Sequence, residues 1–188
     1  MTFNIRLPTI PCLALAALQF AQAADVEVFG GYAVTRMRPE NDSNQTTMNG
    51  WNTTVTAYAT KRFGVTADFA GFYGIAPTGL TNGADVNIRQ YSFMGGPQVR
   101  LFHAGRVSSS VRAVFGAAYG YVPDSAYDIA GQTKFSTLVG SNLDIRVTRR
   151  VSMRFSPGLY VTTFGYDQTQ KNLRFSVGPV FHFGGDDI

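Results

Sequence analysis

The chain has 188 residues, room for a single domain, and carries 16 basic against 12 acidic side chains, a net charge of +4. So mild an excess, with no basic run interleaved with exposed aromatics, argues against nucleic acid as a partner. Glycine and aromatic residues are plentiful while glutamate occurs only at positions 27 and 40, a composition that suits strands and turns rather than helices.

The first residues read as an export signal. Arg6 provides a short positive region, IPCLALAALQF an apolar stretch too short to span a bilayer, and Ala21-Gln22-Ala23 an A-x-A cleavage site. Residues 1–23 are therefore expected to be a signal peptide, with a mature domain over 24–188 beginning at Ala24. Cys12, the only cysteine, falls in the removed part, and Ile10-Pro11 before it does not suit a lipoprotein signal. The mature chain then has no thiol, which excludes disulfides, cysteine nucleophiles and thiolate metal sites. Without Arg6, 15 basic residues face 12 acidic ones. No mature stretch approaches the roughly 18 consecutive apolar residues of a membrane-spanning helix.

Eight segments alternate with period two, the signature of strands. In the first, from Val26, one face carries Val26, Val28, Gly30, Tyr32 and Val34. The second sets Trp51, Thr53, Val55, Ala57 and Ala59 against Asn52, Thr54, Thr56, Tyr58 and Thr60. In the third, Val65, Ala67, Phe69, Gly71 and Tyr73 oppose Thr66, Asp68 and Ala70. The fourth opposes Tyr91, Phe93, Pro97, Val99 and Leu101 to Ser92, Gln98 and Arg100. In the fifth, Val107, Val111, Ala113, Phe115, Ala117 and Tyr119 face away from Ser110, Arg112, Gly116 and Gly120. The sixth sets Phe135, Val139, Leu143, Ile145 and Val147 against Ser136, Asn142, Asp144 and Arg146. The seventh sets Val151, Met153, Phe155, Pro157, Leu159 and Val161 against Ser152, Arg154, Ser156 and Thr162. The last, RFSVGPVFHF, opposes Phe175, Val177, Pro179, Phe181 and Phe183 to Arg174, Ser176, Gly178, Val180 and His182. Phe29, Met94 and Leu138 break the alternation.

The links alternate strictly between long and short. Residues 36–50, 74–87, 122–131 and 165–171 are long and polar, whereas 61–62, 102–106 and 148–150 are tight. An up-and-down barrel of these strands has plain turns and both termini at one end and elaborate loops at the other. Outer-membrane barrels are arranged in this way, with short periplasmic turns. A soluble eight-stranded barrel is the competing architecture, and a lipocalin-type Gly-x-Trp in the first strand is missing. Trp51, Phe63, Tyr73, Tyr91, Tyr119, Phe135 and Phe183 cluster near strand ends, as interfacial girdles do, and strands of about ten residues match a tilted crossing. The reading is therefore an all-β, eight-stranded, antiparallel up-and-down transmembrane barrel in the bacterial outer membrane.

That reading turns the polar faces inward. Glu27, Asp68, Arg100, Arg112, Asp144, Arg146 and Arg154 are expected to form an interior charge network, mostly in the middle and periplasmic half. Basic groups outnumber acidic ones in this set, so each carboxylate should meet an arginine, with leftover arginines bonding Ser, Thr or Tyr58. An eight-stranded interior is just filled by its side chains, and buried charges must be paired there. The expected outcome is a plug without an open pore.

Ser176-Val-Gly178-Pro-Val-Phe181-His-Phe183 resembles the polar-x-Gly-x-x-aromatic-x-aromatic signal on the last strand of outer-membrane barrels. With VEVFGGYAV, FGVTADFAGFYG, GGPQVRLF, AVFGAAYGY and LVGSNLDIRVTRRVSMR, it makes the mature chain similar to small OmpA-like and OmpX-like eight-stranded barrels. The resemblance implies that the barrel-assembly machinery reads Ser176, Gly178, Phe181 and Phe183. The aromatic is usually the last residue, whereas Gly184 to Ile188 follow here; the peptidoglycan-binding domain that follows the barrel in OmpA has no counterpart in the sequence.

Some barrels of this family act on lipids with a His and a Ser or Asp near the outer leaflet. The two histidines, His103 in a short link and His182 near the end of the last strand, map to the opposite end. The carboxylates Glu27, Asp68 and Asp144 are better read as partners of arginines than as acid–base groups, and no glycine loop or metal-ligand spacing is present. No catalytic residue, metal or cofactor is expected. Function is left to the loops: a structural or surface-interaction role, with outer-membrane lipids, lipopolysaccharide and an unidentified external ligand as partners, in a monomer. A lipid-modifying enzyme on the same scaffold is the alternative.

Overall fold

A computed structural model describes residues 25–37, 46–77, 85–121, 131–162 and 170–184; the expected signal peptide lies outside the described residues. Eight strands follow one another: β1 (Asp25–Met37), β2 (Thr46–Tyr58), β3 (Phe63–Pro77), β4 (Asp85–Ala104), β5 (Val107–Tyr121), β6 (Gln132–Arg146), β7 (Val151–Thr162) and β8 (Gln170–Phe183). Each pairs antiparallel with its sequence neighbour, and β1 closes on β8, so the sheet has no free edge. Even the shortest strand, the 12-residue β7, covers about 30 Å along the axis at the usual rise and tilt. That exceeds the apolar band of about 25 Å that a barrel presents to lipid.

The strands run further than the period-two pattern indicated. β2 begins at Thr46 rather than Trp51, and β4 occupies 20 residues from Asp85 to Ala104. Polar outward residues such as Thr47, Asn49 and Asn87 hide these extensions, because strand ends beyond the apolar band need no lipid-facing side chain. His103 is likewise on β4 and not in a turn: the link to β5 is only Gly105-Arg106, after an irregularity between Arg100 and Phe102. Gly105 sits at φ 58°, the left-handed conformation that a two-residue hairpin link demands.

The other two short links share a local design. Thr60 Oγ1 accepts hydrogen bonds from the backbone N–H of Arg62 (3.3 Å) and Phe63 (3.0 Å). Thr148 Oγ1 does the same for Arg150 (3.3 Å) and Val151 (3.1 Å). The threonine hydroxyl thus satisfies the turn's donors and leaves the two following basic side chains, Lys61-Arg62 or Arg149-Arg150, exposed.

The barrel is apolar outside and polar inside. Phe63, Phe69, Phe93, Phe115, Phe135, Val139, Leu173 and Phe183 all project from the wall, while the buried positions are mostly Ser, Thr, Asn, Asp and Arg. The residues that broke the alternation lie inward as well. Met94 and Leu138 pack with Val114 and Tyr160 as a fully buried cluster, beside a second one of Ala33, Met48, Ala70 and Phe72. The Phe72 and Tyr160 rings bring the two clusters together, with centroids 6.4 Å apart.

Candidate functional site

The interior charges form a ladder and a cluster. Arg154 on β7 donates from Nε to Asp144 Oδ1 at 2.7 Å and from Nη2 to both Asp144 Oδ2 at 2.7 Å and Glu27 Oε2 at 2.6 Å. The other oxygen of Glu27 accepts from Arg100 Nη2 at 2.8 Å, and the same nitrogen reaches Asp25 Oδ2 at 2.8 Å. Signs therefore alternate along Asp144, Arg154, Glu27, Arg100 and Asp25. Arg100 also lies over the Tyr58 ring, 4.0 Å from its centroid.

Nearer the loop end, Asp68 is fully buried between two guanidiniums. Arg174 grips it with two hydrogen bonds, Nη1 to Oδ1 at 3.0 Å and Nη2 to Oδ2 at 3.1 Å. Arg112 Nη1 is 3.2 Å from Oδ2, close enough for an ion pair though not aligned for a hydrogen bond. Neutral groups join the two assemblies: Arg112 donates to Ser156, Ser156 to Asn142, Asn142 to Gln98, and Gln98 to the Tyr58 hydroxyl at 2.6 Å.

Among the described interior residues, four carboxylates (Asp25, Glu27, Asp68, Asp144) thus meet four guanidiniums (Arg100, Arg112, Arg154, Arg174). The expected excess of basic groups is corrected to a balance. Arg146 belongs to the short-turn mouth, partly exposed and 3.3 Å from His103 Nε2, so it stands apart from the buried set. Asp25 and Arg174 were not anticipated. Arg174 has the inward parity of β8 and Asp25 the parity of Glu27 on β1, so charge with parity was a sufficient signal for both.

The short-turn mouth opens into a cavity of about 630 Å³. In its wall, Ser152 Oγ lies 3.0 Å from His182 Nε2, and His182 Nδ1 lies 3.9 Å from Glu27 Oε1. At the opposite end an aromatic group covers the outer wall. The hydroxyls of Tyr73 and Tyr91 are 3.3 Å apart, Tyr91 stacks with Tyr121 at 6.4 Å, and Arg89 Nη1 reaches the Tyr121 hydroxyl at 3.5 Å. Such rings with polar tips suit a membrane interface. Phe181 and Phe183 face lipid on β8 and pair with Val28 and Val26 of β1 at the closing seam. Ser176 and Gly178 face inward on the same strand. A Cβ on Gly178 would collide with the Gly30 carbonyl oxygen and the Gly31 Cα.

Among the described residues, no group of three His, Cys, Asp or Glu side chains is placed to hold a metal ion.

No protein family and no curated protein matches this chain in sequence. Solved structures match its fold. Neisserial surface protein A superposes with a TM-score of 0.67 at 12% identity, covering 84% of this chain and 97% of its own. OprG from Pseudomonas aeruginosa gives 0.60 at 11% identity over 88% and 98%. Ail, the attachment invasion locus protein of Yersinia pestis, gives 0.57 at 17% identity over 85% and 98%. It has also been solved with the heparin analogue sucrose octasulfate. The chain has the fold of the small eight-stranded outer-membrane barrels.

Proposed function

We propose that this chain is a monomeric outer-membrane barrel that displays its long loops outside the cell, without a pore and without catalysis. The observation that carries this reading is the filled interior. Paired charges and two apolar clusters occupy the inward face of the barrel, and side chains packed in this way support a closed lumen. Removal of residues 1–23 and recognition of Ser176, Gly178, Phe181 and Phe183 by the assembly machinery belong to the same reading.

The loop sequences indicate the chemistry of the external partner. The segments joining strands at the long-loop end, 38–45, 78–84, 122–130 and 163–169, carry Glu40, Asp42, Asp124, Asp128 and Asp167 against Arg38 alone. An acidic display attracts a cationic surface, in contrast to the sulfated ligand named for Ail. In the test, the protein is reconstituted and recorded in planar bilayers, then presented to polylysine-coated and heparin-coated surfaces. Absence of stable channel currents and a polylysine interaction lost when 38–45 and 122–130 are shortened are expected. Large unitary currents, or loop-dependent capture by heparin, would sink the reading.

The arrangement that favours a lipid-modifying enzyme is the Ser152–His182 contact. A serine needs its histidine oriented by a third group within hydrogen-bond reach. Glu27 stands at 3.9 Å with both oxygens committed to Arg100 and Arg154. A fluorophosphonate reagent is therefore expected to leave Ser152 unlabelled; labelling abolished by Ser152→Ala would establish the enzyme instead.

A further inference from the structure

The cavity at the short-turn mouth is unevenly charged. Arg100, Arg106, Arg146, Arg149 and Arg150 line it, and Asp25 is the only carboxylate among its described lining residues. Asp25 is already engaged by Arg100 at 2.8 Å. No ion pair ties Arg106, Arg149 or Arg150 to a described carboxylate. Cations gathered around a recess repel one another unless an anion joins them, and backbone bonding keeps these together. The Arg146 N–H donates to the Arg106 carbonyl at 2.7 Å, and the His182 N–H to the Arg150 carbonyl at 2.9 Å.

We propose that this cavity binds a phosphate-bearing group, either the head group of an anionic phospholipid or a free phosphate compound. A carboxylate offers two oxygens and a single charge. A phosphate offers more oxygens and up to two charges, which several arginines can share. The volume of about 630 Å³ lies within the ~300–1,000 Å³ of small-molecule sites. Phe181 and Phe183, on the lipid-facing side of β8 and 45% and 56% exposed, also line the recess. The cavity therefore meets the apolar wall at the β8 end, where an acyl chain can lie while its phosphate enters between the arginines. In the orientation proposed above this end is periplasmic, but the binding test does not depend on it.

The β2–β3 turn supplies the control, because Lys61 and Arg62 are equally basic and exposed but do not line the cavity. The folded full chain in detergent is titrated with phosphatidylglycerol, with phosphatidylcholine and with inorganic phosphate, adducts being counted by native mass spectrometry and phosphate affinity read by calorimetry. Arg149→Gln/Arg150→Gln is compared with Lys61→Gln/Arg62→Gln, and heat-modifiable gel mobility verifies that each variant is folded. Phosphatidylglycerol or phosphate should bind the parent and the Lys61/Arg62 variant alike, and the Arg149/Arg150 variant roughly tenfold more weakly. Binding of phosphatidylglycerol without inorganic phosphate assigns the lipid; binding of inorganic phosphate assigns the free compound. Failure of both ligands to bind the parent, or equal weakening in the two variants, overturns the proposal.

Discussion

Glu27 on β1 and Arg154 on β7, 127 residues apart in the chain, meet at 2.6 Å inside the barrel. The pair is the middle rung of the ladder running from Asp144 to Asp25, and it makes Glu27 the one carboxylate of the ladder held between two guanidiniums that are each also bonded to another acid. Removing it strands Arg100 and Arg154 with half of their partners.

Glu27→Ala should therefore destabilise the folded barrel by about 3–5 kcal/mol, the usual cost of breaking a buried pair. Asp144→Ala should cost less, because Arg154 keeps Glu27. Urea unfolding in lipid bilayers measures both, and a Glu27 variant as stable as the parent would remove the ladder's structural role. Asp124, the natural loop control, lies outside the described residues.

Asp68 yields a change of sign. In the parent, Arg174→Met removes a bidentate partner but leaves Asp68 beside Arg112, so it should destabilise. After Asp68→Ala, Arg174 becomes an uncompensated buried cation beside Arg112, and the same Arg174→Met change should stabilise. A double-mutant cycle on unfolding free energies reads this directly; additive effects would show that the two residues do not interact.

Trp51 is the only tryptophan and lies on the outer wall against Gly71, whose missing side chain makes room for the indole ring. Its fluorescence should be quenched by lipids brominated on their acyl chains. Gly71→Val should shift the emission maximum while the barrel remains folded, since the ring and not the backbone must move. Insensitivity to brominated lipid would contradict the outward assignment of this strand face.

The β1–β8 seam bears on assembly. Phe181→Ala with Phe183→Ala should lower the yield of folded protein in cells, whereas deletion of 184–188 should leave it largely intact. Gly178→Ala should also impair closure, through the collision with Gly30 and Gly31 in addition to any loss of recognition. Refolding of the purified chains into detergent separates the two causes: the glycine variant should fail there too, the phenylalanine pair should not.

The alternation of β1 to β8, the two kinds of link and the inward turn of the polar faces were all legible in the amino-acid order. They depend on pleat geometry, which is local: successive side chains point to opposite sides whatever the rest of the chain does. Parity could not say how far along the axis a side chain sits, because that depends on strand register and tilt. Arg146 and Asp144 share a parity, yet Arg146 ends at the mouth beside His103 while Asp144 enters the ladder. Arg174 reaches Asp68 across the lumen only once the sheet has closed. Phe29, Met94 and Leu138, irregular as sequence, prove to be inward residues, and Met94 and Leu138 pack with Val114 and Tyr160 on neighbouring strands once pairing sets the register. Which face of each strand turns inward was thus decided residue by residue along the chain, and which inward residues meet was decided by closure of the barrel, because only the closed sheet fixes distances across its interior.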